Sequence, residues 1–265
     1  MYPLPKLEQW FDELLDAYFI WAEFQYQWQK VRDASMQNLE FPFPYRKGQR
    51  ELVSGVYRTI LRKKELFVQA PTGIGKTMST VFPAIRAMGE GFGDRLFYLT
   101  AKTITRTVAE EAVLILKKKG LKFKAITLTA KEKMCILDEP VCDPLHCPRA
   151  KGHFDRINAA VYEMLTEGDS YTREEVLCQA EKWKVCPHEL QFDVASWIDG
   201  VICDYNYAFD PTSKLKRFFS EGTKGDYIFL IDEAHNLVER GRDMFSATLI
   251  KEDILKIRQL LRPYA

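Results

Sequence analysis

Leu66-Phe67-Val68-Gln69-Ala70-Pro71-Thr72-Gly73-Ile74-Gly75-Lys76-Thr77 is a short apolar run closed by a glycine-rich turn and a Lys-Thr pair. The run predicts a buried strand, and the apolar spacing from Met78 to Met88 predicts a helix after the turn. A turn between those two elements can cradle phosphate. Gly73 and Gly75 allow positive φ and close backbone approach, so amides of the loop, Thr72 included, can face phosphate oxygens at the positive end of the helix. Lys76 would reach the β and γ phosphates and the Thr77 hydroxyl would hold Mg²⁺, so the expected ligand is ATP with magnesium. Ala70 occupies the first glycine position of G-x-x-x-x-G-K-[ST]. A chance glycine-rich turn is the competing reading, and the strand and helix on either side speak against it.

The second half of such a site lies downstream. Tyr227-Ile228-Phe229-Leu230-Ile231 has the length and apolar content of a fully buried strand and ends in Asp232-Glu233-Ala234-His235. Asp232 at a strand tip can hold a nucleotide-bound Mg²⁺, Glu233 can polarise the attacking water, and His235 can hydrogen-bond toward elements that sense the γ phosphate. An Asp-Glu pair after a strand can also simply cap a helix. The loop at Lys76 favours the mechanistic reading, because the two halves of one mechanism rarely meet by accident.

Strands at Arg95–Thr100, Phe123–Leu128 and Gly200–Asp204 alternate with helices at Thr103–Lys118 and around Lys214–Phe218. This alternation predicts an α/β fold with a doubly wound parallel sheet. Thr100, Lys102 and Thr103 fall at a strand's C-terminal end, where such sheets bind ligands, although Thr103 as a helix N-cap explains the pattern equally well. Upstream, Leu7, Trp10, Leu14, Tyr18, Trp21, Phe24, Trp28 and Val31 are spaced as one face of a long amphipathic helix, either packed on the domain or docking another. Phe41-Pro42-Phe43-Pro44 then forces extended chain before a helix carrying Leu52, Val56 and Ile60. The Gln49 amide at its start can both donate to and accept from an adenine edge.

Of 265 residues, 46% are apolar, enough for a full core, and 38 Lys plus Arg balance 37 Asp plus Glu. Nucleic-acid contact must then come from a local basic stripe and not from a basic whole. No run of eighteen apolar residues predicts a membrane span, and Met1-Tyr2-Pro3-Leu4-Pro5 has no signal-peptide pattern, so a cytoplasmic protein is expected. Six cysteines in a reducing compartment point to thiols or metal ligands.

Between Lys131 and His188 the sheet pattern stops and Cys135, Cys142, Cys147 and Cys186 appear, separated by six, four and thirty-eight residues. None has the tight C-x-x-C spacing of a zinc knuckle, which favours a 4Fe–4S cluster that takes thiolates from wider points. Zinc, with His146, His153 or His188 replacing a cysteine, is the alternative. Cys178 and Cys203 are spare, Cys203 as a small hydrophobe inside a strand.

Together these residues resemble the XPD/DinG-type iron–sulfur DNA helicases of superfamily two. Ala70–Thr77 is similar to motif I, Tyr98–Arg106 to motif Ia, Asp232–His235 to the DEAH motif II, and Phe43–Gln49 to the Q motif. Lys133-Met134-Cys135 and Trp183-Lys184-Val185-Cys186-Pro187 resemble the first and last cluster ligands, and Asp204–Pro211 the stretch before motif II. The resemblance implies a RecA-like first motor domain at 41–130 and 191–240, interrupted by an iron–sulfur insertion at 131–190. The amphipathic helix at 1–40 precedes it, and 241–265 would begin an arch-like helical insertion. It implies ATP-driven separation of DNA strands, 5′ to 3′, in repair or replication-associated processing, with single-stranded or forked DNA as partner. A second motor domain and an arch domain are expected from a longer chain. Tyr205 and Tyr207 with Lys131, Lys133 and Arg149 are candidate contacts to single-stranded DNA, against packing of the tyrosines in the domain. A nucleotide-gated binding module without turnover and an RNA-directed DEAH helicase with a zinc-binding insertion are the competing functions.

Overall fold

The computed structural model describes residues 3–71, 73–101 and 103–264; the expected site residues Thr72 and Lys102, and the Thr103 side chain, lie outside the described residues. The chain opens with α1 (Leu4–Gln37), started by a proline in its first turn and ended at Asn38. Its apolar stripe divides. Trp21 and Phe24 pack on the core and Met36 is fully buried, whereas Trp10, Leu14 and Tyr18 face solvent. The packing reading therefore holds only for the second half of the helix.

After α2 (Gln49–Leu61) the expected strand at Leu66–Gln69 does not form. A strand needs a neighbour to satisfy its amides and carbonyls. Here Leu66 instead lies against α2, 3.8 Å from where a side-chain carbon on Gly55 would stand. With Leu52, Val68 and Ile74 it lines an open groove of about 300 Å³, and Phe67 is 87% exposed.

The remaining elements follow the alternation. They are α3 (Lys76–Gly89), β1 (Arg95–Leu99), α4 (Thr103–Lys118), β2 (Ala125–Thr127), α5 (Lys131–Met134), α6 (His153–Glu167), β3 (Ser170–Tyr171), α7 (Arg173–Trp183), α8 (Pro187–Ala195) and β4 (Gly200–Cys203). Then come α9 (Asn206–Phe209), α10 (Lys216–Phe219), β5 (Tyr227–Ile231), a single 3-10 turn (Ala234–Asn236), α11 (Leu237–Met244) and α12 (Lys251–Leu261). The strands form one parallel sheet in the order β3-β2-β4-β1-β5. Side chains of β1 alternate between its faces: Leu96 and Tyr98 join the cluster under α3 and α4, and Phe97 and Leu99 join the cluster under α6, α7 and α8. Each fully buried side chain of this size contributes about 1.5–3 kcal/mol.

Two expectations change. The stretch from Lys131 to His188 supplies β3, which pairs with β2 through Ala125↔Ser170, and its Ile157, Leu165, Val176 and Val185 share one core with Phe97. It therefore has sheet character and packs as part of the domain. β5 is not fully buried: among the described residues nothing pairs with its outer edge, so Phe229 and Ile231 are 42% and 38% exposed.

At the N-terminal edge of the sheet, Asp199 ties α1 down. Its carboxylate takes Arg32 Nη1 at 3.0 Å, Trp28 Nε1 at 3.3 Å and the Lys124 backbone N–H at 2.7 Å. The buried Lys124 ammonium sits 3.9 Å from the centre of the Trp28 ring and donates to the Leu165 and Gly168 carbonyls at 2.7 and 2.8 Å.

Candidate active site

At the opposite edge, β1 and β5 run out side by side, Tyr98 beside Leu230 and Leu99 beside Ile231. The Asp232 N–H donates to the Leu99 carbonyl at 2.9 Å, so the ladder carries Asp232 to the sheet's rim. Chain direction then reverses at Glu233, a non-glycine residue at φ 52.

The loop before α3 meets this rim. Gly73 and Gly75 have φ of 85 and 80, the left-handed region that glycine enters freely. A side-chain carbon on Gly75 would stand 2.8 Å from Gln49 Nε2 and displace that amide, while Gly73 has open space before it. That bare, open cradle at the first turn of α3 suits a phosphate group. Gln49 is 4% exposed and its Oε1 accepts the Arg46 N–H at 3.0 Å, which sets the amide behind the loop with its acceptor already engaged. Arg46 Nη1 in turn donates to the Gly73 carbonyl.

Lys76 Nζ lies 3.9 Å from Glu233 Oε1 and 3.4 Å from the Ala70 carbonyl. Both partners of the ion pair are about a third exposed, and a loose pair of that kind contributes at most about 1 kcal/mol, so incoming phosphate can displace it. His235 is largely exposed, its Nδ1 3.5 Å from Glu233 Oε2. Tyr98 lies beside both Thr77 and Asp232. Burial, reinforced by Asp232, holds that phenol well above its ordinary titration range, so it stays protonated as a donor. The two expected Mg²⁺ ligands thus share one buried neighbour, and their oxygen donors fit a hard divalent cation.

Sequence reasoning missed Tyr98, which reads there as one more apolar residue of β1. It also misplaced Tyr205. That ring is 0% exposed, and its hydroxyl donates to the backbone carbonyls of Asp232 and Glu233, so it cannot stack on a DNA base. Burial, with the Asp232, Glu233 and Asp204 carboxylates nearby, pushes its hydroxyl up to about 12. Tyr207 is half-buried against Phe192 with its hydroxyl 3.4 Å from the Thr129 carbonyl. Arg149 is buried and donates to the Ala180 carbonyl at 2.7 Å near the end of α7, so it too is withdrawn from a DNA surface. Lys133 stays exposed and Lys131 partly so. Beside the rim, Asp204 takes Arg106 of α4 at 3.2 Å and Arg240 of α11 at 3.5 Å.

The four expected cluster ligands are free thiols, Cys142 exposed, Cys147 buried, Cys135 and Cys186 between. Three of them, Cys142, Cys135 and Cys186, lie near Lys131 and raise its pKa. Among the described residues no group of three or more His, Cys, Asp or Glu is close enough to hold a metal. Thiols do not attract one another; the metal itself supplies the energy that gathers such ligands. In kind the donor set fits iron–sulfur chemistry. Cys178 is exposed and Cys203 fully buried in β4.

A parallel sheet whose C-terminal rim joins a glycine-rich phosphate cradle to a strand-end Asp-Glu pair is the architecture of a DEAD/DEAH helicase motor domain. The chain belongs to the DEAD_2 family, whose profile matches residues 99–254, and the DEAD/DEAH box helicase profile matches residues 49–139. It is similar to the Caenorhabditis elegans homologue of regulator of telomere elongation helicase 1, 23% identical over 82% of this chain and 26% of the relative. The Homo sapiens regulator of telomere elongation helicase 1 is 22% identical over 82% of this chain and 22% of its own length. The chain therefore spans about a quarter of these relatives. Among solved structures it resembles an XPD helicase (TM-score 0.54, 17% identity, 74% of this chain and 34% of that one). A truncated XPD gives TM-score 0.51 at 17% identity over 71% and 52%. These likenesses establish the shared fold. No described helix is long and apolar enough to cross a membrane.

Proposed function

We propose that this chain is the ATP-binding and hydrolysing lobe of an iron–sulfur DNA helicase. Its partner is single-stranded or forked DNA, its movement 5′ to 3′, and its setting cytoplasmic, in repair or replication-associated processing. The approach of Lys76 to Glu233 at 3.9 Å carries the reading, because it brings the phosphate loop and the DEAH pair to one rim. Lys76 with the amides around Gly73 and Gly75 binds phosphate, with Thr72 in the same loop and Gln49 behind it at the base side. Glu233 accepts the proton of the attacking water, and His235 relays the state of that carboxylate outward. Thr77 and Asp232 would hold Mg²⁺, which supplies positive charge to the β and γ oxygens. Cys135, Cys142, Cys147 and Cys186 would hold the 4Fe–4S cluster, which supplies a cross-link between segments far apart in sequence.

The domain assignment follows the same reading: motor lobe at 41–130 and 191–240, cluster insertion at 131–190, and the start of an arch at 241–265. A second motor domain closes the site and contributes the arginines that speed hydrolysis by about three to five orders of magnitude. Residues 1–265 alone should then bind MgATP, turn it over slowly and unwind nothing. Titration of MgATP onto the chain by calorimetry tests this: saturable binding that Lys76→Ala weakens by about ten- to a hundredfold is expected, and absence of binding by the wild type overturns it. DNA-stimulated hydrolysis in the longer protein separates a motor from a nucleotide-gated binding module. Zinc in place of iron, with stimulation by RNA alone, would favour an RNA-directed helicase.

A further inference from the structure

Glu233 sits at φ 52, a conformation that a residue with a Cβ adopts only at an energetic cost. It persists only where its surroundings hold it. Three donors meet its carbonyl oxygen: Asn236 N–H at 3.0 Å, Asn236 Nδ2 at 3.0 Å and the Tyr205 hydroxyl at 3.1 Å. Two of these belong to the turn itself. Tyr205 comes from 28 residues earlier, and its hydroxyl is shared with the Asp232 carbonyl. Its ring is anchored in the core beneath the sheet, and its neighbour Asp204 is fixed between Arg106 and Arg240. The phenol therefore reaches the turn from a rigid base.

We propose that Tyr205 is a positioning residue for hydrolysis: its hydroxyl locks the Asp232–Glu233 backbone in the left-handed turn that aims the Glu233 carboxylate at Lys76 and the phosphate loop. The catalytic half of this rests on the motor reading above; the lock does not. Without the hydroxyl, Glu233 relaxes toward ordinary negative φ and its carboxylate swings off the rim. Asp232 keeps its bond to Leu99 and Lys76 is untouched, so nucleotide affinity is preserved.

Tyr205→Phe keeps the ring and removes only the donor. Hydrogen exchange on the nucleotide-free chain should show amides 233–237 exchanging roughly fivefold faster, the size of one hydrogen bond, with β1 and β4 unchanged. In a Glu233→Gly background the same replacement should change exchange by less than about twofold, because glycine takes positive φ unaided. General loosening would persist with glycine, and either that result or unchanged local exchange overturns the lock. In the full-length protein, Tyr205→Phe should lower single-turnover ATP hydrolysis roughly tenfold with MgATP affinity held within about twofold, and should add nothing to Glu233→Gln. Faster exchange with unaltered hydrolysis overturns the positioning role. Faster exchange in a protein that binds no nucleotide sinks the motor reading and leaves the lock standing. Should Tyr205→Phe fail to fold, Asn236→Ala removes another donor to the same carbonyl and must give the same local exchange effect.

Discussion

Arg32 and Asp199, 167 positions apart, meet at 3.0 Å in an ion pair whose acid is 3% exposed. The pair joins α1 to the start of β4, at the end of the sheet away from the phosphate loop. Burial pushes the Asp199 carboxyl above its ordinary range while Arg32 pulls it back. Arg32→Ala leaves the carboxylate buried without its cation, a change that costs about 3–5 kcal/mol. The unpaired acid then titrates higher still. Because the native state holds its proton more tightly than the unfolded chain, stability falls as pH rises through the native value and recovers on acidification. Thermal melts of the variant at pH 7 and pH 5 should show the deficit shrinking at the lower pH; a deficit independent of pH counts against the buried pair.

Lys124 gives the opposite slope. Burial lowers its ammonium from the ordinary value to about 8, against the pull of Asp199 and Asp169. Between that value and the ordinary lysine value the unfolded chain binds more protons, so this group makes the protein more stable as pH rises. The neutral amine still donates to the Leu165 and Gly168 carbonyls. The difference in melting temperature between wild type and Lys124→Met should therefore move in favour of the wild type from pH 7.5 to pH 9.5. A flat difference means that the amine titrates where a free lysine does.

Lys76→Ala should weaken MgATP binding by about ten- to a hundredfold, the loss of a charge-assisted contact, without lowering the melting temperature. Its present partners are the loose pair with Glu233 and a long hydrogen bond to the Ala70 carbonyl. Glu233→Gln should bind MgATP like the wild type and hydrolyse it about 10²–10⁴ times more slowly, as loss of a general base requires. Calorimetry and single-turnover assays of the full-length protein read both. Lost binding in Glu233→Gln assigns that residue to the fold.

Protein purified without oxygen should be brown, with a broad band near about 400 nm and about four irons per chain. Replacing Cys135, Cys142, Cys147 or Cys186 by Ser should bleach it. Cys178→Ser and Cys203→Ser should not, since Cys178 lies exposed on α7 and Cys203 is sealed inside β4. Bleaching by Cys178→Ser with none by Cys142→Ser would exchange those two as ligands.

The glycine-rich loop and the Asp-Glu pair stand out in the sequence because each is contiguous: Gly75, Lys76 and Thr77 stay adjacent wherever the chain goes. Alternating periods likewise located β1, α4 and β5 to within a residue. What failed depends on partners that a one-dimensional pattern does not name. Leu66 to Gln69 has a strand's composition, yet Leu66 leans on α2 beside Gly55 and the ladder is never made. Arg149 looks like a phosphate ligand by charge, and only the fold reveals that it ties down the last carbonyls of α7. Tyr205 is aromatic by composition and acts here through its one oxygen.

The free side of β5 has a consequence for handling the molecule. Its outward amides and carbonyls are spaced to accept a further strand from any source, and no lysine, proline or bulge within Tyr227–Ile231 interrupts them. With a formal net charge of +1, two copies repel each other weakly near neutral pH. Colloidal stability of the chain should accordingly fall with protein concentration and improve in buffers that move it away from its isoelectric point, with growth in scattering preceding any loss of helix signal.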